Sequence, residues 1–246
     1  MKTLKALAAL LSYPTAELVD ALGEIDEVLD REGVVPVIER AQLDRLISEL
    51  RTGDLYDLQE GYGLLFDRTR SLSLHLFEHV HGESRDRGQA MVDLLKLYEE
   101  GGYTPTASEL PDFLPLFLEY ASTRDPAEAI TLIGQPANVI AALDERLAKR
   151  RSAYAAVMRT LLALSRAKLD AATLDTLRAE PDPEPDDLEA LDAAWVDQEV
   201  TFGPGASGGG CAVEGLADRL RAAMRPGNGT VPPITRGRAA RQGAAS

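Results

Sequence analysis

Apolar residues recur along this chain at the three- and four-residue spacing of helices, with polar residues between them. Leu4, Leu7, Ala8 and Leu11 form the first stripe, and Leu43, Leu46, Ile47 and Leu50 the next. Ala90, Met91, Leu94, Leu95, Leu97 and Tyr98 form another, with Asp93, Lys96, Glu99 and Glu100 off it. Val139, Ile140, Leu143 and Leu147 follow, then Tyr154, Val157, Met158, Leu161 and Leu162. Stripes of this kind mark amphipathic helices that bury one face. Helix-stopping pairs fall between them: Tyr13-Pro14, Gly53-Asp54, Gly101-Gly102, Asp125-Pro126 and Gln135-Pro136. No stretch alternates for long enough to predict a strand, and no internal repeat is present. The pattern predicts an all-α fold: a single multi-helix, bundle-like domain over residues 1–177.

The pattern changes after Leu177. Residues 178–202 read as an acidic linker followed by a short docking helix. Residues 179–199 hold nine acids and no Lys or Arg, and the prolines of AEPDPEPDD keep the first part extended. Leu188, Leu191, Ala194 and Trp195 then return to helical spacing, and Trp195, the sole tryptophan, is expected to pin that helix to the body. Residues 203–246 are rich in Gly, Ser, Ala, Pro and Arg, the composition of a mostly disordered tail, with a brief helix expected over 213–224.

A chain of 246 residues can bury roughly 70% of its unfolded surface, enough for a sizeable core. Cys211 is its single cysteine, so no intrachain disulfide forms, which fits a reducing compartment. The opening MKTLKALAALLSYP has the lysines and leucines of a signal peptide. Its apolar stretch is short and breaks to Ser12, Tyr13 and Pro14 without a small-x-small cleavage site, so it reads as a mature amphipathic helix. No run approaches the roughly 20 apolar residues that cross a bilayer. A cytoplasmic protein, not membrane-inserted, is expected. The net charge is −14, and the four arginines from Arg225 onward are accompanied by no acid, so the first 224 residues carry −18. Such a body repels nucleic acid and anionic membrane and attracts basic peptides over roughly 8 Å at cellular salt.

Four segments carry candidate chemistry. His75-Leu-Phe-Glu78-His79 matches H-x-x-E-H; on a helix its histidines would share one face as zinc ligands, with His81 close by. The competing reading makes Leu72, Leu74, Leu76, Phe77 and Val80 a buried helix with packing histidines. Gly203-Pro-Gly205-Ala-Ser-Gly208 matches G-x-G-x-x-G, but no acid occurs after Asp218 to complete a dinucleotide site, so loop composition accounts for it. In His81-Gly-Glu-Ser-Arg85-Asp-Arg87-Gly88, Ser84 or Asp86 can cap a helix, and Arg85 and Arg87 can fork onto Glu109, Asp112 or Glu119. In Ser108-Glu-Leu-Pro-Asp-Phe-Leu-Pro-Leu-Phe-Leu-Glu-Tyr120, two prolines stand four apart at a helix entrance. With Asp112 as N-cap, Phe113 is N1 and Pro115 is N3, where its missing N–H costs little, and Asp112 caps the N–H of Leu114. No P-loop, C-x-x-C or G-x-S-x-G is present. No catalytic residue, metal or cofactor is assigned.

Taken together, ordered motifs resemble a known family. These are Tyr62-x-x-x-Phe66-Asp67, Ser71 through Gly88, Glu109-Leu-Pro-Asp-Phe-Leu-Pro115 with Leu118-Glu119, the opening Leu10-Leu-Ser-Tyr-Pro14, and Trp195-x-x-Gln-Glu-Val-Thr-Phe202. Over roughly residues 4–202 the chain resembles the NarJ family, the assembly chaperones of respiratory nitrate reductase, also called the nitrate reductase delta subunit. The resemblance implies an all-helical fold of the molybdoenzyme-chaperone type (TorD/DmsD/NarJ-like) and no enzymatic activity. It implies binding to the immature, cofactor-free catalytic subunit of nitrate reductase, including its N-terminal segment, to keep it competent for molybdenum cofactor insertion. Molybdenum cofactor biosynthesis proteins are further candidate partners. The alternatives are a chaperone for another molybdoenzyme with a twin-arginine signal, or a zinc-dependent hydrolase using the H-x-x-E-H segment.

With the resemblance, the expected partner-binding residues are Tyr62, Phe66, Asp67, His81, Arg85, Arg87, Glu109, Leu110, Pro111, Asp112, Phe113, Leu114, Pro115 and Glu119. Glu109, Asp112 and Glu119 would rim a groove whose floor is Phe113, Leu114 and Phe117, suited to a basic amphipathic helix. The competing reading makes Phe113 and Phe117 core, the prolines only ending one helix and starting another.

Overall fold

A computed structural model of the chain describes residues 1–81, 85–105 and 109–183, apart from the side chains of His81 and Arg85. The glycine-rich G-x-G-x-x-G stretch, Trp195, Cys211 and the expected tail lie outside the described residues, as do Ser84 and all of the acidic stretch beyond Pro183. The described residues form α1 (Lys2–Leu10), α2 (Ala16–Glu32), α3 (Val37–Thr52), α4 (Leu55–Phe66), α5 (Glu78–His81) and α6 (Arg85–Glu100). They continue with α7 (Leu114–Ser122), α8 (Pro126–Gly134), α9 (Ala137–Lys149), α10 (Ala155–Ser165) and α11 (Ala171–Arg178). A 3-10 turn spans Arg70–Leu72. Among the described residues the only β contact is one isolated antiparallel bridge between His75 and Phe113.

Each stripe picked out by periodicity between Leu4 and Leu162 lies on or at the edge of one of these helices; the one at Leu188–Trp195 lies outside the described residues. Leu4, Leu7, Ala8 and Leu11 are buried along and just past α1; Leu43, Leu46, Ile47 and Leu50 on α3; Val139, Ile140, Leu143 and Leu147 on α9. Among the described residues, three helices start on a side-chain cap, one of them at an expected stop signal, Gly53-Asp54. Thr15 accepts the Leu18 N–H at the start of α2, Asp54 accepts the Tyr56 N–H before α4, and Asp170 accepts the Thr173 N–H before α11. Gly33 ends α2 at φ 59°, a left-handed conformation glycine adopts without strain. Among the helices with no marked stripe, α2 buries only Leu22, Ile25 and Leu29, α4 only Tyr62 and Phe66, α8 only Ala129, Leu132 and Ile133, and α11 only Leu174 and Leu177.

At the centre lies α7, buried on nearly every side: Leu114, Pro115, Leu116, Phe117, Leu118, Tyr120 and Ala121 all belong to the interior. A helix apolar all round belongs in a core, not on a surface. It packs on α1 and α8. On the other side of the body α10 packs on α9, α3 and α8, while α11 lies on α9 and α2 bridges α1 and α3. One ordered stretch departs from helical expectation. Residues 73–77 form a non-helical link between the 3-10 turn and α5, with the bridge at His75 and a turn at Leu76 and Phe77. Serine and leucine alternate here from Ser71 to Leu74. The leucines are buried, yet the run is too short and too hemmed in by helices to build a sheet.

Candidate functional site

The sequence expectation made Asp112 the cap of α7. The structure corrects this. The N-cap is Phe113, whose side chain makes no cap bond, Leu114 is the first helical residue, and Pro115 sits one place later. The N–H of Leu114 reaches sideways to the Leu74 carbonyl at 2.9 Å, and the Phe113 N–H closes a turn onto the Leu110 carbonyl at 3.0 Å. Pro115 has no N–H to satisfy, so the first turn of α7 is left with few orphan donors.

Asp112 itself is 0% exposed. Its carboxylate accepts the Phe77 N–H at 3.0 Å and lies 3.2 Å from His75 Nδ1, while its main-chain carbonyl accepts the Leu76 N–H at 3.0 Å. It therefore ties the 73–77 link to the entrance of α7. The Asp112 hydrogen bond raises the His75 pKa above its ordinary value against the opposing effect of burial; Glu78 adds to the rise and Arg87 reduces it. Pro111 is buried too, its carbonyl accepting from the Tyr98 hydroxyl at 2.7 Å. Leu114, Pro115 and Phe117 are core. The expected groove floor of Leu114 and Phe117 is thus interior, and Asp112 is a tie rather than a rim.

An exposed patch remains around this tie. Phe113 is half-buried and stacks on the His75 ring, with centroids 5.3 Å apart. Leu110 is 47% exposed, and Glu109 and Asp67 are exposed. Burial, then the neighbouring Glu109, holds the Asp67 carboxyl above its ordinary range, with His75 pulling it back down. Among the described residues, neither Asp67 nor Glu109 is paired with a Lys or Arg.

The other expected residues fall elsewhere. Arg87 pairs with Glu78 at 3.1 Å, not with Glu109, Asp112 or Glu119. Glu119 accepts from the Tyr103 hydroxyl at 3.0 Å, and burial together with this carboxylate pushes Tyr103 up to about 12. Tyr62 and Phe66 are buried in an aromatic cluster with Tyr13 and Tyr154, and the Tyr62 hydroxyl donates to the Leu11 carbonyl at 2.9 Å. Both shape the body beneath the patch without presenting a surface. The side chains of His81 and Arg85 lie outside the described residues.

The paired-histidine arrangement is not formed. His75 lies in the non-helical link and His79 in α5, so they do not stand one turn apart on a shared face. His79 is buried, with Nε2 donating to the Ser73 carbonyl at 2.8 Å, and burial lowers its pKa to about 4. Glu180 stands 4.0 Å from its Nδ1. Sequence reasoning missed this second polar seam because its partners lie from 31 to 111 residues apart. Arg146 donates to the Ser71 and Leu177 carbonyls and lies near Glu180, and Arg150 grips Asp182.

Comparison with known proteins places the chain. Residues 15–160 match the family model described as nitrate reductase delta subunit. The chain is 38% identical, over 92% of its length and 95% of the relative's, to the nitrate reductase molybdenum cofactor assembly chaperone NarJ of Escherichia coli strain K12. It is 37% identical to the probable chaperone NarW of the same strain, over 82% of this chain and 84% of that one. The probable NarJ of Bacillus subtilis strain 168 is 33% identical over 65% of this chain and 86% of its own.

Proposed function

From the premise that the chain belongs to the nitrate reductase delta subunit family, we propose that it is an assembly chaperone that holds an immature molybdoenzyme subunit for molybdenum cofactor insertion and turns over no substrate. The observation that carries this reading is identity spread over nearly the full length of both this chain and a relative named as such a chaperone, on an all-helical body. The client is the catalytic subunit of respiratory nitrate reductase in its cofactor-free form, engaged through its N-terminal segment. Molybdenum cofactor biosynthesis proteins are the further partners this role calls for. No described helix is long and apolar enough to cross a membrane, and the reading puts this work in the cytoplasm.

The patch of Asp67, Glu109, Leu110, Phe113 and His75 supports the client reading. An exposed leucine and a half-buried phenylalanine offer apolar anchors, and two unpaired carboxylates flank them. A basic amphipathic helix matches both features. The test is calorimetric titration with a synthetic peptide of the catalytic subunit's N-terminal segment at low and high salt. Binding that weakens with salt is expected, and the double variant Asp67→Lys, Glu109→Lys should reduce affinity at least roughly tenfold. Unchanged affinity in that variant would remove the patch from the interface. Signal peptides of other twin-arginine molybdoenzymes, titrated alongside, should bind more weakly.

A further inference from the structure

The chain does not leave the body where α11 ends. Past Arg178 it turns back across α9 as a short strap, and the strap has no apolar anchor of its own. What seats it is charge. Asp182 receives both ends of the Arg150 guanidinium at 2.7 and 3.1 Å, Lys149 at 3.3 Å, and the Ser71 hydroxyl at 2.8 Å. Arg150 also donates to the Pro183 carbonyl at 2.9 Å. Glu180 faces Arg146 at 3.5 Å and the ring of His79 at 4.0 Å. The side chains of Arg146 and Arg150 are only 7% and 6% exposed. Guanidinium groups so desolvated are costly without an anion, and among the described residues the strap carboxylates are the ones within ion-pair distance of them.

The strap is also connected to the client patch by the segment that both hold. Arg146 donates to the Ser71 carbonyl, and Asp182 accepts from the Ser71 hydroxyl. Two residues on, Ser73 takes the His79 ring proton on its carbonyl and the His75 N–H on its hydroxyl. His75 then meets Asp112 and stacks on Phe113. Residues 71–79 are thus gripped by the strap at Ser71 and His79 and meet the patch at His75 between them.

We propose that residues 179–183 are a displaceable strap whose seating on Arg146, Lys149 and Arg150 holds the 71–79 segment in the form that binds client, so that unseating it releases the client. The proposal rests on the patch being the client site. Strap release exposes a two-arginine seat that any carboxylate- or phosphate-rich partner can occupy in its place. It removes the tie between Asp182 and the Ser71 hydroxyl without touching the hydrophobic core, because residues 180–183 are held by polar contacts.

Full-length Glu180→Gln, Asp182→Asn keeps shape and removes the charges; Arg150→Lys keeps the charge but loses the two-pronged grip. Hydrogen exchange by mass spectrometry over residues 71–79 should accelerate roughly tenfold or more in the double variant and less in the lysine variant, while α3 and α9 keep wild-type protection. The client peptide should bind the double variant several-fold more weakly. Unchanged exchange over 71–79 in both variants overturns the strap. Faster exchange with unchanged peptide affinity overturns its control of the patch. If the wild-type chain binds no peptide, the client reading fails, and the exchange data still decide whether the strap holds the segment.

Discussion

Replacing Asp112 by Ala isolates the tie on which the candidate site is built. The residue is fully buried, and its carboxylate serves the Phe77 N–H and His75. The truncation removes the carboxylate that accepts a buried main-chain N–H, a loss of about 1–3 kcal/mol, and strips His75 of its hydrogen-bonded carboxylate. Together these come to about 3 kcal/mol, within the range for breaking a buried pair. For a protein of this size that lowers Tm by roughly 6–12 °C and the urea midpoint by about 1 M. The pH dependence checks the cause. The folded-state pKa of His75 is raised, so its contribution is complete below the ordinary histidine value of 6.5 and is lost as pH rises through the higher folded value. The stability gap between wild type and variant should therefore narrow as pH rises from 6.5 through the raised folded value, leaving the Phe77 hydrogen bond as the remainder. Urea titrations followed by circular dichroism measure both. A gap under about 0.5 kcal/mol at neutral pH, well short of a lost buried hydrogen bond, would refute the assignment of Asp112 as a structural tie. A gap that stays flat with pH would refute the charge-assisted bond to His75.

Two further substitutions test the body around the site. Tyr62 and Tyr154 lie in one aromatic cluster, but only the Tyr62 hydroxyl has an acceptor among the described residues. Tyr62→Phe should cost about 1 kcal/mol in denaturant unfolding, whereas Tyr154→Phe should be neutral or stabilising, since it removes a buried hydroxyl that bonds nothing. Glu32, at the end of α2, accepts the N–H groups of Lys2 and Thr3, each at 2.7 Å, and the Thr3 hydroxyl, capping α1 from a neighbouring helix. Burial pushes its carboxyl up, but those donors win and hold it below the ordinary value of 4.5. Its contribution is present above that value and lost as pH falls through the lower folded one, so Glu32→Gln should cost about 1 kcal/mol at neutral pH and progressively less in acid.

The all-helical class and the main core faces are written in the sequence by itself, because a 3.6-residue repeat of apolar positions says which side of a helix leaves water whatever it packs against. Leu43, Leu46, Ile47 and Leu50 needed no partner to be recognised as core. So too did the helix boundaries, since Pro, Gly and capping residues act within a few positions of themselves. The ordered motifs also carried the family, although not the part each residue plays. Only the tertiary structure decided those parts. Asp112 is polar and stands beside two prolines, the local signature of a cap, yet its hydrogen bonds go to a segment thirty-five residues earlier. Phe117 and Leu114 look available on a short apolar helix until α1 and α8 close over them. The alternation of Ser71 to Leu74 was visible but too short to outweigh its helical neighbours. Arg146, Arg150 and Asp182 become partners only when α9, the 3-10 turn and the end of α11 meet, because a charge finds its counterion through space and leaves no periodic mark along the chain.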